Sequence, residues 1–60
     1  MKTQELIKIL RKHGCFIKRN GSWHDIWYSE ISHKEFTVPR HKNEIPIGTL
    51  NNILKAAGLK

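Results

Sequence analysis

Cysteine is nearly absent: Cys15 is the only one in 60 residues. A lone cysteine excludes an internal disulfide and a cysteine-based zinc site. Its neighbours Phe16 and Ile17 mark it as a half-buried strand thiol, and a reducing cytoplasm is its natural setting. Long apolar runs are missing as well. None approaches the roughly 18 residues that a membrane span needs, and no signal-peptide pattern is present, so no membrane association is expected. Acidic residues are few, five against eleven Lys and Arg, which leaves a formal charge of +6. Such a surface favours a polyanionic partner, with nucleic acid foremost. Length is the last scarcity. A chain of this size folds as one domain, residues 1–60, and buries only about 60% of the surface that its unfolded form exposes. A deep enclosed active site is excluded, and any chemistry must sit on an open surface.

What is present reads in order as α-β-β-β-α. Thr3 is placed to cap a first helix, with Glu5 in its first turn. Leu6, Ile9, Leu10 and His13 fall at helical spacing, and Ile7 widens the stripe. Gly14 ends the helix. His13 in the last turn reads as a charge favourable to the helix end. Cys15 to Arg19 forms a short strand, with Cys15, Ile17 and Arg19 on one face and Phe16 and Lys18 on the other. Asn20-Gly21 is a strong hairpin signal. Trp23 to Ser29 forms the second strand. Both of its faces carry large apolar groups, so periodicity does not say which one meets the core. After the polar stretch 30–34, Glu35 to Val38 makes a third strand, ended by Pro39. Short connections imply an antiparallel meander. Beyond a charged loop, 40–46, Thr49 caps a second helix whose apolar face is Leu50, Ile53, Leu54 and Ala57. Gly58 closes that helix, with Leu59 folding back. Two amphipathic helices on one face of a three-stranded sheet bury both stripes.

Four segments carry a resemblance that spans nearly the whole chain. Glu5-Leu6 and Leu10 with Gly14 form the first. Gly21-Ser22-Trp23-His24 corresponds to a Gly-Ser-x-His motif. Val38-Pro39-Arg40-His41 corresponds to a Val-Pro-x-His motif in which x is often Arg. Gly48-Thr49-Leu50, Ile53-Leu54 and Ala57-Gly58 form the last. In this order and spacing the chain resembles HicA-type toxins of HicA–HicB toxin–antitoxin systems. The resemblance implies a fold similar to the double-stranded-RNA-binding domain, metal-independent cleavage of mRNA that blocks translation, and neutralisation by a HicB-type antitoxin that covers the active site. It also implies that His24 is the catalytic histidine.

The residues support an independent argument for His24. Metal-free RNA cleavage proceeds by deprotonation of the 2′-OH and its attack on the adjacent phosphorus. A histidine, with an ordinary pKa of about 6.5, holds both protonation states usefully near neutrality. Gly21 removes a side-chain obstacle to a phosphate, and Ser22 offers a hydroxyl donor. Lys18 and Arg40 are candidates for the phosphorane charge, and His41 for the leaving-group proton. For Arg40, His41 and Lys42, phosphate grip is the first reading. Asp25 points to the face opposite His24 in an ideal strand, which argues against it as an orienting carboxylate. His24, His33 and His41 lie on separate segments without ligand spacing, so neither a metal site nor a cofactor is expected. Trp23, Trp27 and Tyr28 divide between base stacking, antitoxin contact and core packing. The alternative function is a non-catalytic RNA-binding module on the same fold. A DNA-binding or purely protein-binding domain ranks lower, because nothing resembles a recognition helix.

Overall fold

The computed structural model describes residues 1–60. Five elements follow one another: α1 (Thr3–Lys12), β1 (Cys15–Asn20), β2 (His24–Ser29), β3 (Glu35–Pro39) and α2 (Ile47–Ala56). The strands form one antiparallel sheet in the order β1-β2-β3. This is the expected α+β layout, similar to a double-stranded-RNA-binding domain, with both helices on one face of the sheet.

The ambiguity of β2 is settled by burial. Trp27 is 1% exposed and Ser29 is fully buried. Trp27 pairs with Phe36 of β3, and its neighbour Asp25 pairs with Val38. The covered face of the sheet therefore carries Cys15, Trp27, Phe36 and Val38, packed against Leu6 and Leu10 of α1 and Ile53 and Ala57 from α2 and its end. His24, Ile26 and Tyr28 lie on the other face, which no element covers. The helices could cover only one side of a sheet this small, and Trp27 made the larger demand on burial.

Both helix starts differ from the expected caps. The N-cap of α1 is Lys2, and Thr3 is its first helical residue. Thr3 is buried, and its hydroxyl donates to the Lys42 carbonyl across the fold. The N-cap of α2 is Pro46, and Thr49 lies inside the first turn without capping anything. In each case a tertiary or backbone constraint displaced the local preference: a short bridge from Lys2 to Glu44 fixes one start, and proline's fixed φ sets the other. The helix ends follow expectation. Gly14 and Gly58 take φ of 83° and 80°, the left-handed conformation that glycine adopts without strain. Leu59 N–H returns to the Leu54 carbonyl at 2.8 Å.

The β2–β3 connection is tied to the C-terminus of α2. Ser29 Oγ donates to the Ala57 carbonyl at 2.6 Å and accepts from the amides of Ile31 and Ser32. Ser32 Oγ donates to the Ala56 carbonyl. Helix-end carbonyls lack partners within the helix, and these two serines supply them.

Two further departures bear on the site. The Asn20-Gly21 signal does not produce a two-residue turn. Asn20 pairs with Asp25, and Gly21, Ser22 and Trp23 form a three-residue loop between the strands. Trp23 thus leaves the strand, so it shares no face with Trp27, and it stands 73% exposed. At the far end, Pro39 does not stop β3 but completes it, opposite His24 on the sheet edge, where proline's missing N–H is tolerated.

Candidate active site on the open sheet face

The loop Gly21–Trp23 owes its shape to one close approach. A Cβ added to Gly21 would stand 2.2 Å from the His24 carbonyl oxygen. No side chain fits there. Gly21 does not adopt a positive φ; its role is to give room for the backbone of His24.

The segment after β3 pins this loop. The Arg40 amide donates to the Trp23 carbonyl at 2.9 Å, and its guanidinium donates to the Gly21 carbonyl at 2.8 Å. His41 Nε2 donates to the Ser22 carbonyl at 3.0 Å, and its ring meets Trp23 edge-on at 5.8 Å between centroids. All three loop carbonyls are thus held by two consecutive residues. Asp25 lies beneath, with Oδ1 3.9 Å from the Arg40 guanidinium. That oxygen is buried and has no hydrogen bond, so its attraction to Arg40 is purely Coulombic. Asp25 faces the covered side of the sheet, away from His24.

His24 is the first residue of β2 and follows the pinned loop directly. The imidazoles that make hydrogen bonds are those of His13, His33 and His41. That of His24 is exposed on the open face. The backbone that carries this ring follows a loop held at every carbonyl, and the ring itself is accessible. Those are the two conditions for general acid–base work on a large substrate.

The remaining candidates divide. Ser22 is exposed in the loop, its carbonyl taken by His41. Lys42 is exposed beside the start of α1, on a shallow polar cleft that Lys2, Gln4, Arg40 and Glu44 also line. Lys18 is on the open face, where it forms an ion pair with Glu35. The hydrogen bond and charge of Lys18 hold the Glu35 carboxyl below its ordinary pKa, with a smaller contribution from Arg19.

Arg19 is the residue that alternation misplaced. The register shifts between Ile17, which pairs with Trp27, and Arg19, which pairs with Ile26. Lys18 is the extra residue of a β-bulge. Past it the alternation inverts, and Arg19 moves from the covered face to the open face. It lines a shallow groove there with Lys18, Ile26 and Glu35. Nothing in the sequence around Lys18 marks a bulge.

The arrangement defines a class: a small, basic α-β-β-β-α protein with an accessible histidine on the uncovered face of its sheet. A family model for the HicA toxin of bacterial toxin–antitoxin systems matches residues 3–59, and the chain belongs to that family. No curated protein and no solved structure matches the chain. Family membership implies a toxin role and an antitoxin partner. No helix is long and apolar enough to cross a membrane.

Proposed function

We propose that the protein is a metal-independent endoribonuclease that cleaves mRNA in the cytoplasm and blocks translation, with His24 as general acid–base. The observation that carries this reading is the position of His24 within a family of toxins: exposed, on a strand, at the exit of a loop whose carbonyls are all held. His24 takes the proton of a ribose 2′-OH, the oxygen attacks the adjacent phosphorus, and the 5′-oxygen leaves with a proton from water or a neighbouring acid. Arg40 and His41 act as positioning residues that hold the loop, while Lys42 and the hydroxyl of Ser22 remain free to meet phosphates. The formal charge of +6 draws RNA to this surface. A HicB-type antitoxin that covers the same surface silences the enzyme.

The test is cleavage of a long unstructured RNA with EDTA present. The native chain is expected to yield 2′,3′-cyclic phosphate ends, and His24→Ala to be slower by about 10²–10⁴-fold. Undiminished cleavage by His24→Ala removes His24 from the mechanism. Binding without cleavage by both proteins leaves the non-catalytic RNA-binding module as the function.

A further inference from the structure

The face of the sheet that the helices leave open is not merely solvated. Phe16 of β1 and Tyr28 of β2 are paired across the strands, with ring centroids 5.5 Å apart and planes tilted by 47°. Phe16 is 43% exposed. Tyr28 is half-buried, with Lys18 Nζ over its ring at 6.0 Å and its hydroxyl 3.3 Å from His33 Nδ1, so Phe16 offers the more open ring of the pair. One pleat repeat along β2, Ile26 has Arg19 opposite it. A second repeat reaches His24. The face therefore carries, in line, an aromatic pair, an arginine and the candidate catalytic histidine, spaced about 7 Å apart along the strand. Its one acid, Glu35, is already paired with Lys18. Arg19 makes no ion pair, because the two in the molecule are Lys18–Glu35 and Arg40–Asp25.

We infer that this face is a binding track for single-stranded RNA, in which Arg19 grips a phosphate next to the scissile one and the Phe16–Tyr28 pair stacks a base beyond it. The choice between single and double strands follows from what the face offers. Aromatic rings gain from bases that are splayed out of a helix, and a duplex keeps its bases inside. The charge has the sign that a phosphate chain requires. The bulge at Lys18 is what brings Arg19 to this face, and bulges commonly re-aim side chains beside active sites. The inference rests on the nuclease reading only in naming the phosphate; the track itself is tested by binding.

The probe is a fluorescein-labelled, unstructured 12-nucleotide RNA, free or annealed to its complement. Anisotropy is measured on the full chain carrying His24→Ala, and the integrity of the probe is checked on a gel. In that background Phe16→Ala and Arg19→Ala are each expected to weaken single-strand binding on the order of tenfold. Arg19→Ala should also flatten the salt dependence by about 0.7 in log–log slope, one phosphate contact for a single strand. Ile47→Ala, at an exposed apolar residue of α2, should bind as its parent does. Phe16→Leu, which keeps the apolar bulk and loses the ring, guards against misfolding and should resemble Phe16→Ala. Equal affinity for the duplex overturns the inference. So does parental affinity in Phe16→Ala or Arg19→Ala, an outcome that leaves the face to a protein partner. A chain that cuts RNA through some residue other than His24 would still show the binding pattern, so the two readings fail separately.

Discussion

Gly21 shows how a single missing side chain sets the geometry of a site. Its place in the loop needs ordinary backbone angles but leaves no room for a Cβ, which would collide with the His24 carbonyl at 2.2 Å. In Gly21→Ala the loop or the start of β2 must move, and His24 moves with it. A displacement of about 1 Å costs on the order of 100-fold in rate. On the proposed nuclease reading, RNA cleavage by Gly21→Ala is therefore expected to fall by about that factor while circular dichroism still reports a folded chain; native-level cleavage would show that the loop absorbs the methyl group. Glu35 supports a second residue-scale prediction. Lys18 holds its folded-state pKa below the ordinary carboxyl value. The stabilisation is thus fully present above that ordinary value and is lost as pH falls through the lowered one. Thermal melts of native protein and Glu35→Gln should diverge above the ordinary value and converge in acid, by a small amount because the pair is exposed.

At the scale of elements, all five were legible in order and nearly in extent. The stripe of Leu6 and Leu10, the glycines at 14 and 58 and the alternation in β3 are local patterns that the fold keeps. What was not legible were the contacts that elements make with one another. Thr3 carries the signature of a cap, yet its hydroxyl serves the Lys42 carbonyl, 39 residues away. Ser29 looks like an ordinary strand residue, yet it joins β2 to the end of α2. Its hydroxyl makes three hydrogen bonds in a fully buried position. Ser29→Ala orphans the Ala57 carbonyl and two amides together, and a loss of about 1–3 kcal/mol in urea unfolding is expected. A change within a few tenths of a kcal/mol would mean that water replaces the hydroxyl.

The whole molecule is small enough that its core leaves little in reserve. Nine residues make up the buried apolar cluster. Domains below about 70–80 residues rarely hold more than about 3–5 kcal/mol from such a core. Leu10 is fully buried at the centre. Leu10→Ala costs about 2–5 kcal/mol, so the variant is expected to be largely unfolded at room temperature by circular dichroism. A cooperative melt close to that of the native chain would show that stability comes from elsewhere. This economy also explains the open sheet face. Two ten-residue helices cover one side and no more, so the other side stays available to a partner.

The sequence by itself determined the element order, the basic surface, the family-like motifs and the identity of His24 as the residue to examine. The first three are properties of local periodicity, composition and spacing, written in consecutive residues, and the choice of His24 followed from the family resemblance that those motifs carry. Only the tertiary structure decided which face of β2 is buried, because Trp27 and the aromatic groups opposite it compete for the same cover and only packing against α1 and α2 resolves the contest. It alone decided that Arg40 and His41 clasp the loop before His24, a pairing of segments some 19 residues apart. It alone brought Arg19 onto the same face of the sheet as that histidine, since a β-bulge is a mismatch between two strands and neither strand's sequence records it.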